Sequence, residues 1–392
     1  MANTAELIGY YDPQTCDVRD FEACLDQVTH PENVPLAMAI EKNIPVYDSG
    51  KLQSALEGEG RRTVMAEWAR VLRIGAGIVV LKGAYRDTGV LDEATEIYER
   101  IIAQEKQNAG GGADHFAVSG ANDRIWNSLQ KLCEAAPDVF LRYFANTSIS
   151  AVCEAWLGPN YQMTAQVNLV HPGGAAQQAH RDYHLGFQTA DVSAAYPAHV
   201  HEVSPILTLQ GAVAHCDMPL DSGPTKLLPF SQTYKPGYAA WRREDFREVF
   251  EARCVQLPLS KGDAVFFNPA LFHAAGANSS ADIHRFVNLL QVSSAFGRAM
   301  ETVDRDRMCR LVFPHAVRAF AEGAFTQAEL SAAIAATAEG YSFPTNLDRD
   351  PPSNGLAPET QAAFLHRAIE EGLSEDQFCT RLTEMKTVKL AS

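Results

Sequence analysis

The stretch His180–Arg181–Asp182, with His273 ninety-three residues later at the end of Gly262–Asp263–Ala264–Val265–Phe266–Phe267–Asn268–Pro269–Ala270–Leu271–Phe272–His273, decides how this chain reads. On an extended strand alternate side chains point the same way. His180 and Asp182 can therefore reach one metal ion together, with Arg181 aimed elsewhere. His273 must arrive on a second strand laid alongside, so the fold and not a local loop would assemble the group. Two imidazoles and one carboxylate form the facial set that leaves the opposite positions of a non-haem iron(II) ion open. The same three donors also serve zinc hydrolases, so spacing alone leaves the metal undecided.

Working outward, residues 161–296 are rich in short apolar runs separated by turns. Expected strands are Tyr161–Val170, Ile206–Ala214, Lys226–Leu228, Cys254–Leu259, Ala264–Phe267 and Arg285–Val292. The turns are His171–Pro172–Gly173–Gly174, Asp221–Ser222–Gly223–Pro224 and Ser260–Lys261–Gly262–Asp263. This pattern predicts a mainly β core of jelly-roll type, a cupin-like double-stranded β-helix with flanking helices. Upstream, Gly75–Gly83 is a glycine-bounded β-branched strand, and Arg61–Leu72 and Leu91–Lys106 have helical periodicity. Helices are also expected over Asp17–Val28, Asn33–Lys42, Asp123–Leu129 and Ala136–Leu157, the last with a break near Asn146. Downstream, Thr326–Glu329 and Ser374–Gln377 are capping boxes. Pro358 suits a helix start and Gly372 a helix end, and Tyr341–Gly355 reads as a loop, lid or linker. One domain over 1–392 is expected: an N-terminal extension 1–60, a core with its helices 61–299, and a C-terminal helical extension 300–392. The two extensions are candidates for a lid or a homodimer contact.

The 392 residues carry a formal net charge of −15, which argues against nucleic acid or an anionic membrane as partner. The eight cysteines are scattered without a C-x-x-C pair and read as free thiols. Met1–Glu6 has neither a basic nor an apolar run, and the longest apolar run, Ile74–Leu81, is too short to span a bilayer. A cytoplasmic protein acting on a small molecule is the expectation.

The ordered set of motifs resembles the phytanoyl-CoA dioxygenase (PhyH-like) family of iron(II)/2-oxoglutarate-dependent oxygenases. The resemblance runs from about Gly75 to Phe296. It rests on Gly77–Gly83, His180–His184, Cys216–Thr225, Leu228–Gln232, Gly262–Asp263, His273–Asn278 and His284–Arg285. Two stretches depart from the family pattern: Pro229–Phe230–Ser231–Gln232 stands for P-G-S-H, and Ala275 occupies a place near the co-substrate. The resemblance implies iron(II) held by His180, Asp182 and His273. It implies 2-oxoglutarate paired through its far carboxylate with Arg285, and O2 consumed with release of succinate and CO2. The intact Asp182, where related halogenases have a small residue, points to hydroxylation or another oxidative outcome.

Several residues keep two readings. Gln166 and Asn168 are candidate cofactor contacts if their strand face lines the cavity, and solvent-facing polars otherwise. Arg181 reads as a surface charge or a support behind the site. His184 reads as a pocket residue and not a ligand, and His199 and His201 as loop residues. The run Asn108–Ala113 reads as a flexible loop, since no Gly-Lys-Ser/Thr follows. His115–Phe116 is a candidate pocket pair or simple loop. A metal-dependent hydrolase, or a non-catalytic binding protein on the same scaffold, remains the alternative.

Overall fold

The computed structural model describes residues 9–107, 121–352 and 355–390. Ten strands form its frame: β1 (Ala39–Glu41), β2 (Ile44–Asp48), β3 (Ile78–Lys82), β4 (Asn122–Ile125), β5 (Gln162–Val170), β6 (Thr208–Ala214), β7 (Lys226–Leu227), β8 (Ala264–Phe267), β9 (His273–Ala274) and β10 (Arg285–Ser293). Eight of them make one sheet in the order β1-β2-β3-β8-β6-β10-β5-β4. Every pairing is antiparallel except β2 with β3. A smaller sheet pairs β7 with β9 and is extended by single bridges from His180 to His273 and from Leu227 to Val255.

The strand alternation divides the molecule into layers. One face of the large sheet carries Val79, Leu81, Val213, Phe266, Leu290 and Val167, packed against the helices in a single large core. Those helices include Arg61–Ile74, Gly89–Gln107, Thr147–Leu157 and Arg305–Ala321. The other face carries Ile78, Val80, Ala212, Val265 and Phe267, which meet Leu227, Met218 and Leu259 of the small-sheet side. Behind the small sheet, Phe272 and Ala274 pack with Phe21, Phe246 and Phe250 from the helices Val18–Leu25 and Glu244–Arg253. Two sheets facing each other with helices on both outer sides make a double-stranded β-helix of jelly-roll type, as the strand pattern predicts. The terminal segments join this body directly. Strands β1 and β2 lie in the first 60 residues, and the helices after 300 complete the large core.

Local differences from the sequence reading have plain causes. Asn122–Ile125 is a strand and not a helix, because it pairs with Val167–Val170 of β5; the helix starts only at Ser128. Ala39–Glu41, expected inside a helix, pairs with β2 instead. Residues 254–259 make isolated bridges and no strand. The break near Asn146 is real: its side chain accepts from Ile149 N–H and caps the second helix. Both capping boxes form. Gly372 has φ +64 just after the helix Gln361–Glu370, which Thr360 caps two residues beyond Pro358. His201, expected in a loop with His199, lies buried on the short helix Ala198–Val203. All eight cysteines are free. Asn108–Ala113 and His115–Phe116 lie outside the described residues.

The large core also holds a buried polar network. Thr95 Oγ1 donates to Leu91 O at 2.7 Å, so it must accept from His215 Nδ1 at 2.8 Å. His215 Nε2 is left to accept from the Tyr143 hydroxyl at 2.9 Å, and that hydroxyl accepts from Asn288 Nδ2 at 3.0 Å. Burial pushes the His215 pKa down to about 3. The folded value lies below the unfolded one of about 6.5, so the stabilisation is full above that pH and is lost as pH falls toward 3. Each pH unit below about 6.5 removes up to ~1.4 kcal/mol. His215→Gln is expected to be less stable than the parent at pH 7.5, with the gap narrowing by about 2 kcal/mol at pH 5. Urea midpoints of both proteins at the two pH values test this, and a gap independent of pH would contradict it.

Candidate metal centre and its cavity

The His180–His273 bridge is a mutual pair: His180 N–H donates to His273 O at 3.0 Å, and His273 N–H to His180 O at 3.1 Å. The two imidazoles lie 4.5 Å apart, centre to centre. Each ring is held by a carbonyl two residues upstream. His180 Nδ1 meets Gln178 O at 2.8 Å and His273 Nδ1 meets Leu271 O at 2.9 Å. A carbonyl can only accept, so both rings carry a proton on Nδ1 and leave Nε2 as the atom a metal ion would take. Asp182 comes in on the same side as His180. Its Oδ1 is 3.5 Å from His180 Nε2 and its Oδ2 is 3.4 Å from His273 Nε2. Donors about 2.0–2.2 Å from a first-row ion stand roughly 3.0–3.5 Å apart, so this chain's own geometry fits one. Histidines fixed as this tautomer by an outer carbonyl are the usual arrangement around a protein-bound metal. Among the described residues these three side chains are the only grouping with metal-ligand geometry.

The surroundings hold the carboxylate in place. Tyr238 hydroxyl donates to Asp182 O at 3.0 Å, and Gln210 Nε2 donates to Asp182 Oδ2. Burial alone would raise the Asp182 pKa, but the two imidazoles and the Gln210 bond outweigh it and hold the carboxyl well below the usual range. Burial lowers the His180 pKa against the pull of Asp182. The next two residues, Tyr183 and His184, have φ values of +62 and +39, so the chain turns sharply away straight after the ligand. His184 is half-buried, meets Ser204 Oγ at 3.1 Å and stays outside the cluster.

Arg181 is not a surface charge. It is 1% exposed, its Nη2 donates to Ser231 O at 2.6 Å and Tyr234 O at 2.9 Å, and its guanidinium lies over the rings of Tyr238 and Phe272. A side chain at Gly237 would collide with it. Phe272 precedes His273, so this buried cation braces both arms of the triad from behind. Burial brings its pKa down to about 10.

The triad opens into a cavity of about 690 Å³ between the two sheets. Gln166 and Asn168 both line it, which decides their facing: the cavity and not solvent. Arg285, first residue of β10, also lines it. Its Nη1 donates to Ser222 O and Gly276 O at 3.0 Å and to Gly223 O. The Asp221–Pro224 turn thereby serves as its clamp. Gly223 has φ +75, and a Cβ there would strike the backbone of Ala277. No described carboxylate pairs with Arg285, and burial lowers its pKa to about 10, which leaves it charged at neutral pH. The cavity thus holds three metal-type donors and a buried cation with no protein anion. Gln210 and Gln291 are among the cavity residues not singled out in the sequence. Each is a long polar side chain on a strand buried along all or nearly all of its length, a signal that was available.

The family model for phytanoyl-CoA dioxygenase (PhyH) matches residues 75–286. The dioxygenase andF of Emericella variicolor is 26% identical over 142 residues, which is 34% of this chain and 43% of that protein. The chain therefore matches less than half the length of that relative. Among solved structures, the non-heme alpha ketoglutarate dependent epimerase SnoN from nogalamycin biosynthesis overlaps 60% of this chain and 84% of its own at 20% identity, with a TM-score of 0.41. HygX from Streptomyces hygroscopicus, solved with nickel and 2-oxoglutarate, overlaps 61% and 90% at 13% identity and a TM-score of 0.40.

Proposed function

The chain belongs to the phytanoyl-CoA dioxygenase (PhyH) family, and from that premise we propose that it is an iron(II)- and 2-oxoglutarate-dependent dioxygenase that oxidises, by hydroxylation, a small organic molecule. In this reading His180, Asp182 and His273 hold the iron(II). Arg285 holds the far carboxylate of 2-oxoglutarate with the part of its guanidinium that Ser222, Gly223 and Gly276 do not occupy. Asn168 stands opposite Val287, two residues along β10 from Arg285, and is the neighbouring polar contact for the co-substrate. Gln166, one turn of the alternation further, has its amide committed to Arg124 and Gln291. When bound, the iron and 2-oxoglutarate supply the oxidising power, using O2 and releasing succinate and CO2. The chain supplies placement and a dry wall: Phe267, Val287, Leu289 and Met300 line the cavity beside the donors.

The observation that carries this reading is Arg285, a buried cation without a protein anion, in the same cavity as the triad. A metal-dependent hydrolase would have no use for it and would need a general base near the ion. Among the described residues lining the cavity, Asp182 is the sole carboxylate and His180 and His273 are the sole imidazoles. The hydrolase reading therefore lacks a base beyond the ligands themselves. The test is to screen small metabolites for compounds that raise 2-oxoglutarate-dependent succinate release by the iron-loaded protein. No described helix is long and apolar enough to cross a membrane.

A further inference from the structure

On the oxygenase reading the cavity must also receive a substrate, and one wall holds a hydrogen-bond ladder with a gap in it. Gln210 on β6 and Gln291 on β10 are direct cross-strand partners. They are 6% and 8% exposed, and both line the cavity. From one end, Gln210 Nε2 donates to Asp182 Oδ2. An ionised carboxylate only accepts, so the amide must turn its N–H₂ to Asp182 and its carbonyl away. That carbonyl, Gln210 Oε1, is buried and has no partner. From the other end, Arg124 Nη1 donates to Gln166 Oε1 at 3.0 Å, and Gln166 Nε2 donates to Gln291 Oε1 at 3.2 Å. A guanidinium only donates, so the orientation of Gln166 is fixed, and through it that of Gln291. That leaves Gln291 Nε2 as the free end, with Gln210 on the side of β10 away from Gln166.

The two halves of the ladder therefore face each other with a free acceptor and a free donor. Both orientations are set by ionic groups that cannot switch role. Leaving a buried acceptor unmet costs about 1–3 kcal/mol, so the gap favours a group that both donates and accepts. A hydroxyl does both. Side chains directly opposite in an antiparallel pair are roughly 5 Å apart at Cβ, so one oxygen can reach both amides. We propose that Gln210 and Gln291 are the specificity-determining pair of this enzyme, and that they grip a hydroxyl of the substrate. The substrate class is then hydroxylated molecules and not plain hydrocarbon chains. Because Gln210 also holds Asp182, the gripped hydroxyl sits one side chain from the metal ligand, and the carbons beside it are those presented for oxidation.

The inference rests on the oxygenase reading, and two measurements separate its failure from the failure of that reading. The first is a crystal structure of the protein with Ni(II) and 2-oxoglutarate and no added substrate. An ordered water bridging Gln210 Oε1 and Gln291 Nε2 is expected. A direct Gln210–Gln291 hydrogen bond, with metal and 2-oxoglutarate both seated, overturns the proposal and leaves the oxygenase reading standing; a site that takes neither overturns both. The second uses the iron-loaded protein with cyclic and linear alcohols, each beside its deoxy analogue, and reads the rise in succinate release over the probe-free rate. Alcohols are expected to exceed their analogues by about tenfold, the worth of one hydrogen bond. Gln291→Leu, and the near-isosteric Gln291→Glu that replaces the donor with an acceptor, are expected to erase that preference. Equal response to alcohol and analogue, or a preference that survives both substitutions, overturns the proposal. Should no probe raise release, the crystal structure decides.

Discussion

Arg285→Ala is expected to raise the 2-oxoglutarate concentration for half-maximal succinate release by about 30-fold or more, while Co(II) affinity stays within a few-fold of the parent. The size follows from truncating one partner of a buried charge pair, about 2–5 kcal/mol. The selectivity follows from position: Arg285 touches none of the three ligand side chains and is tied instead to the carbonyls of Ser222, Gly223 and Gly276. Losing those ties also loosens the turn, so Arg285→Lys is the companion variant. It keeps the charge without the fork and is expected to fall between the parent and Ala. Titrating 2-oxoglutarate and Co(II) separately distinguishes the outcomes. An unchanged 2-oxoglutarate requirement in both variants would remove Arg285 from the co-substrate site.

The second large effect is expected at Asp182. Asp182→Gly removes the anionic donor, leaves Gln210 Nε2 without its acceptor, and leaves two imidazoles to hold the ion. Loss of an outer partner of a metal ligand costs about 10–100-fold in affinity or activity. Loss of the ligand itself is expected to exceed that and abolish substrate oxidation. The variant should still fold, since Arg181 and Tyr238 hold this segment through the Arg181 side chain and the backbone of Asp182. Circular dichroism and Co(II) titration check the two halves of that statement. Full oxidation activity in a folded Asp182→Gly protein would mean that another carboxylate is the ligand.

The triad was readable because its logic is local at one end and periodic at the other. His180 and Asp182 fall on one side by alternation, although only His180 makes a bridge, and the short strand β9 at the end of the apolar run brings His273 alongside. The long strands were readable for the same reason, being β-branched runs closed by turns. What escaped depends on partners far away in sequence. Asn122–Ile125 contains two charged residues in four and is a strand because β5 offers it an edge. Ala39–Glu41 is a strand because β2 folds back on it. Arg181 would be a surface charge on most strands; it is buried here because Ser231, Tyr234, Tyr238 and Phe272 converge on it, and no one of them announces this in sequence. The facing of Gln166 and Asn168 was open until register fixed it. The polarity of the glutamine ladder needs Asp182 and Arg124 in place at opposite ends, which only the folded chain provides.

On the proposed reading His180, Asp182 and the distant His273 grip one iron(II) ion beside a bound keto acid. Anaerobic visible absorption tests it most directly. Adding 2-oxoglutarate to the Fe(II)-loaded protein is expected to produce a weak metal-to-ligand band, absent with Fe(II) alone and absent in a His273→Ala protein. No band on adding 2-oxoglutarate, together with tight Zn(II) binding at the same three residues, would contradict the account and favour hydrolytic chemistry.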